Sequence, residues 1–270
     1  MYDLSMVTHS IRVLESSLIF LLVCVPLAPV FAEADSLIEC AKNNTPAKSS
    51  RQRVEFHSMD RDGHGREISA TVSWERNDGK SRVLLRIHEP ADLRGAGLLL
   101  LEKSDQTDMF IYLPELKKVK RVTSHMLRGS LFGSDFTYED FMQFQGISVE
   151  GRSEELEGST LDGVDVRVLV QYPSDDAGSA YERIVSYWDR ETCIPLKTEM
   201  YETGSKLRKV LTINRENLFH SNGAVIPQEV VMKDLRDQTS TRLVIKDIEI
   251  DIKIPRKFFS KSGLEQPRVY

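Results

Sequence analysis

The chain has 270 residues and a mass of 30.8 kDa, enough for one large β domain or two smaller units. With 40% hydrophobic and 29% charged residues, and only 15 glycines and 10 prolines, it falls outside collagen-like, low-complexity and strongly disordered classes. A net charge of −5 and a pI near 5.8 argue against an electrostatic grip on nucleic acid, which needs a basic face to displace counterions.

The N-terminal segment reads as a secretory signal. The apolar run Leu18 to Ala28 is too short for a permanent transmembrane helix, and Val30-Phe31-Ala32 or Ala32-Glu33-Ala34 supplies the small residues of a cleavage site. The expected organisation is a signal peptide over 1–32 and a single domain over 33–270. A retained anchor is the alternative. A lipoprotein signal acylated at Cys24 is disfavoured because Val23 stands where a small residue is wanted. Export leaves Cys40 and Cys193 in an oxidising compartment. They are a candidate disulfide, worth roughly 4 to 5 kcal/mol for so long a loop, or else two buried thiols.

Along the exported part, Asp35-Ser36 caps a short helix over Leu37 to Lys42. The pattern then changes to period two. Val54 and Phe56 alternate with polar residues, Asp60 to Gly65 forms a turn, and Ile68, Ala70, Val72 and Trp74 line one face of the next strand. Asn77-Asp78-Gly79 is a hairpin turn into Ser81 to Glu89, which Pro90 stops. Further strands are expected at Gly97–Lys103, Thr107–Leu113, Leu116–Val122, Val164–Tyr172, Tyr181–Asp189, Pro195–Tyr201, Lys206–Ile213, Val225–Asp234 and Thr241–Asp251. About twelve strands joined by short turns make an antiparallel meander. Its apolar face must close, pack on a second sheet, or wrap around helices. The remaining helix material lies between Thr123 and Ile147, where Thr137 caps a turn presenting Tyr138, Phe141 and Met142 on one side.

Chemistry-bearing motifs are scarce. Asp60, Asp62 and Gly65 match three positions of a calcium loop, but His64, Ile68 and Thr71 stand where oxygen donors or the closing Glu belong, so a plain turn is the better reading. His57, His64, His88, His125 and His220 are scattered, no CxxC occurs, and neither metal nor cofactor is expected. Gly129-Ser130-Leu131-Phe132-Gly133 lacks the central serine of a nucleophile elbow, and no histidine is spaced as a base for Ser130 or Ser134, so catalysis is not expected. Asp135, Glu139 and Asp140 read as ion-pair partners of nearby Lys and Arg residues.

One stretch is more specific. IHEPADLRGAGLLLLEKSDQTDMFIYLPELKKVKRV followed by LFGSDFTYEDF resembles the periplasmic outer membrane lipoprotein-sorting proteins, relatives of the carriers LolA and LolB. The matching features are Pro90, Gly95, Asp105 with Asp108, Tyr112-Leu113-Pro114, Lys117 to Val122, Gly133-Ser134-Asp135-Phe136 and Tyr138-Glu139-Asp140. Ala96 departs from the Thr often found there. The resemblance implies a curved antiparallel sheet, an incomplete β-barrel wrapped around a few short helices. It also implies an apolar cavity for acyl chains and work beside an inner-membrane export permease.

The expected function is thus a periplasmic carrier of a lipid or of lipoprotein acyl chains. Leu98, Leu100, Phe110, Tyr112, Phe132, Phe136, Tyr138 and Phe141 are the candidate cavity or lid residues, and Lys118, Lys120 and Arg121 the candidate rim. The rival reading is a non-catalytic accessory subunit of a transporter, its cavity filled by its own side chains.

Overall fold

The computed structural model describes residues 37, 39–41, 44, 46, 48–104, 106–147, 149–221 and 223–266. The signal peptide, its cleavage sites and Cys24 lie outside the described residues.

The first half is a meander of β1 (Ser49–Met59), β2 (Gly65–Asn77), β3 (Lys80–Glu89), β4 (Gly97–Glu102), β5 (Thr107–Leu113) and β6 (Lys118–Arg121). After a helical insert with α1 (Tyr138–Phe144), a second meander follows. It comprises β7 (Gly151–Leu161), β8 (Val164–Pro173), β9 (Arg183–Asp189), β10 (Pro195–Glu202) and β11 (Lys206–Thr212). A small ribbon, β12 (Leu218–Ser221) with β13 (Ala224–Pro227), precedes β14 (Glu229–Asp234), β15 (Thr239–Ile250) and α2 (Lys261–Glu265). Local chemistry sets several of these joints. Asp78 and Gly79 both have positive φ, 52° and 74°, the requirement of a two-residue hairpin turn.

Thirteen strands form one antiparallel sheet in the order β6-β5-β4-β3-β2-β1-β15-β14-β11-β10-β9-β8-β7. The two meanders are joined where β1 pairs with β15 over Ser50 to Met59. The sheet is open, with β6 at one edge and β7 at the other. That topology dictates the second layer. Residues between β6 and β7 must travel from one edge to the other, so the insert crosses a face of the sheet instead of closing a hairpin. Its Leu131, Phe136, Phe141 and Met142 join Val54, Phe56, Val72 and Leu243 of the sheet in the main core. Phe136 meets Phe56 edge to face, centroids 6.1 Å apart.

Among the described residues, the opposite face is covered locally. Ile254, Phe259 and Leu264 of the C-terminal segment pack over Leu84, Leu99 and Phe110. Buried Arg86 fixes this cover by donating to Gly95 O (2.8 Å) and Gly263 O (2.9 Å). No helix among the described residues is long and apolar enough to cross a membrane.

Candidate functional site

The crossing insert is pinned to the sheet by a buried polar cluster. Thr137 caps α1 by accepting from Asp140 N (3.0 Å), and Thr137 N donates to the Asp140 carboxylate (2.8 Å). The same carboxylate accepts from the Tyr181 hydroxyl (2.8 Å) and from Lys209 Nζ on β11 (3.0 Å). Lys209 also donates to Asp135 O (2.6 Å), and the Asp135 side chain accepts from the hydroxyls of Thr239 and Thr241. Beside them, Glu139 is fully buried and accepts from Ala180 N (2.9 Å), the Ser179 hydroxyl and Gln143 Nε2 (3.2 Å). Burial pushes the Glu139 carboxyl above its ordinary value, against the pull of its bonds to Ser179 and Ala180. Burial, reinforced by the neighbouring Asp140, raises the Tyr181 hydroxyl well above its own.

Past the end of α1, the layers separate and leave an apolar cavity of about 250 Å³. One wall is the inner face of the sheet: Trp74 from β2, Leu169 from β8, Trp188 from β9, Met200 from β10 and Leu211 from β11. The other is Phe144 and the turn to Ile147, with Val225 and Ile226 of the ribbon. Ala41, Asn44 and Pro46 border it from the N-terminal segment. The Cys40–Cys193 disulfide, Cα atoms 6.0 Å apart, ties that segment to the β9–β10 loop. The chain's two tryptophans both line this cavity.

A second, more polar groove of about 690 Å³ opens beside β5 and β6. It is bordered by Lys103, Arg121, Glu150 and Asp176, and it shares Gly146 and Ile147 with the apolar cavity.

None of the eight residues expected to form the cavity lines it. Leu98, Leu100, Phe136, Tyr138 and Phe141 are buried in the main core, and Phe132 packs on it half-buried. Phe110 and Tyr112 lie on the other face, beneath the C-terminal segment. Lys261 stacks over the Phe110 ring at 4.4 Å. The reason is strand alternation: Leu98 and Leu100 pair with Ile111 and Met109, whereas Phe110 pairs with Leu99 on the opposite face. Lys118 and Lys120 are exposed on β6, while Arg121 is paired with Asp108 at 2.6 Å.

Ser130 and Ser134 donate their hydroxyls to backbone carbonyls, at 2.6 and 2.8 Å. The Asp60 turn is a side-chain-closed loop, its carboxylate accepting from Asp62 N and His64 N.

A family model described as "Uncharacterized protein" matches residues 79–266. No curated protein sequence matches the chain. Among solved structures, the fold is similar to a domain from Vibrio parahaemolyticus ascribed to outer membrane lipoprotein sorting. That match has 26% identity and a TM-score of 0.76, covering 86% of this chain and 100% of the other. It is also similar to a DUF1329 family protein of Desulfovibrio piger, at 21% identity and TM-score 0.79, covering 87% and 99%. A LolA superfamily protein of Nitrosomonas europaea matches at 20% identity and TM-score 0.67, covering 85% and 98%.

Proposed function

The chain belongs to the family matched over residues 79–266 and has a LolA-like fold, and from that premise we propose that it is a periplasmic carrier holding one acyl chain of a lipid or lipoprotein between its sheet and its crossing insert. The observation that carries this reading is the apolar cavity under α1. Its volume of about 250 Å³ sits just below the roughly 300–1,000 Å³ of small-molecule sites, so it suits one chain, not several. Shielding an acyl chain from water is worth roughly 0.8 kcal/mol per methylene, which supports uptake without any bond being made. The disulfide and the signal-like residues 1–32 support an oxidising, exported location. The exposed lysines of edge strand β6, beside the polar groove, are the face on which cargo is exchanged with a membrane or an export permease.

Because Trp74 and Trp188 both border the cavity, intrinsic fluorescence reports its contents directly. Titration with dibromostearate should quench both tryptophans in the folded, lipid-free protein. An absence of quenching at saturating lipid, with the fold intact by circular dichroism, would move the assignment to an accessory subunit with a self-filled core.

A further inference from the structure

Several polar groups around the apolar cavity are engaged. Asp140 is engaged by Lys209, Tyr181 and Thr137, Gln143 donates to Glu139, and Asn44 donates to the Thr192 carbonyl. Arg76 stacks over the Trp74 ring at 5.2 Å. Trp188 differs: of the buried side-chain polar atoms left unpartnered among the described residues, only its indole nitrogen belongs to a residue of this lining. Its indole Nε1 is buried and has no hydrogen-bond partner among the described residues, although the ring lines the cavity and packs against Leu37 and Leu169. A buried donor without an acceptor carries an uncompensated desolvation penalty, and such groups in native proteins call for a reason.

We infer that the Trp188 indole N–H receives the acyl carbonyl of the bound chain and so fixes where the chain's polar end stops within the cavity; this rests on the carrier reading above. An indole N–H only donates, so its partner must be an acceptor. It is also uncharged, and the ring itself packs on apolar Leu37 and Leu169. On an acyl chain the acceptor it takes is the carbonyl oxygen of the ester or amide. Trp188 is on this view a specificity residue: it distinguishes a chain with a carbonyl from a plain hydrocarbon of similar length.

The test compares methyl 11-bromoundecanoate, 11-bromoundecanoate and 1-bromoundecane, all quenchers of tryptophan, on the native protein and on Trp188→Phe. Trp74 remains as reporter in the variant. The expected result is that the variant binds the methyl ester about three- to tenfold more weakly, the net worth of one hydrogen bond, while bromoundecane binds both proteins equally. Equal loss for ester and hydrocarbon, or no loss for either, overturns the inference while leaving the cavity reading standing. Failure of all three ligands to quench the native protein overturns both. The ester carbonyl stretch gives a measurement independent of the variant's folding. A carbon-13-labelled ester bound to the native protein should absorb below its frequency in dodecane, and an unshifted band would overturn the inference.

Discussion

Lys209 Nζ on β11 and the Asp140 carboxylate in the first turn of α1 lie 3.0 Å apart with side chains only 5% and 1% exposed, so one buried ion pair joins the crossing insert to the sheet. Two charges removed from water repay their desolvation only when every remaining site is used. Here much of that demand is answered, since Asp140 also holds Tyr181 and the Thr137 amide while Lys209 reaches Asp135 O. The Ser-Asp-Phe-Thr-Tyr-Glu-Asp stretch that carries the family resemblance is thus the mooring of the second layer.

Removing one partner strands the other. Lys209→Met should lower stability by about 3–5 kcal/mol, and the double variant with Asp140→Asn should recover much of that loss. Urea unfolding of the four proteins gives the coupling. Additive losses would mean that the pair is not a unit.

Glu139 gives a pH signature of known sign. Its folded carboxyl is raised above the ordinary value of 4.5, so the native state binds the proton more tightly than the unfolded chain. Stability therefore falls as pH rises from about 4.5 through the raised native value. Asp108 and Glu199, held low, act in the opposite sense: their contribution is present at neutral pH and lost in acid. The useful quantity is consequently a difference. Glu139→Gln should gain stability relative to the native protein as pH rises through that window and show no gain below it. A difference independent of pH would refute the assignment.

Much of the frame was legible in the residues themselves. Turn chemistry at Asp78-Gly79, the cap at Thr137 and the alternation of β1 and β2 are local, and each took the expected form. Strand β7 was missed because it is an edge with no buried face, so its polar run Gly151 to Leu161 shows no alternation to read. The expected strand Val225–Asp234 divides into β13 and β14, which serve different layers. The cavity was illegible for another reason. Leu98 to Leu100 are buried on both faces of β4, and period two assigns parity without saying which face is inside. Which strands face the cavity depends on where the insert crosses, and that is a property of the topology alone.

Core and cavity should respond to mutation in opposite ways. Phe136, 1% exposed and edge-on to Phe56, is core, so Phe136→Ala should cost about 3–5 kcal/mol. Ser186 borders the cavity on the same strand face as Trp188, and Ser186→Phe should occupy that space with little loss of stability. Dibromostearate quenching should then disappear in Ser186→Phe while its urea midpoint holds. Undiminished quenching would show that the ligand lies elsewhere.

The disulfide should matter twice. Cys40 and Cys193 are 153 residues apart in sequence, and releasing so long a loop costs roughly 4 to 5 kcal/mol in the chain-entropy account. The β9–β10 loop, however, is held independently: Cys193 N donates to Asp189 O, and the buried Asp189 side chain is engaged by Thr192 and Arg215. The sheet should therefore survive the loss, and the released element is the N-terminal segment whose Ala41, Asn44 and Pro46 border the cavity. A Cys40→Ser/Cys193→Ser protein should unfold at lower urea yet keep its native circular dichroism, and bound dibromostearate should leave it several-fold faster. A lower midpoint with an unchanged release rate would separate the tether's part in stability from any part in retention.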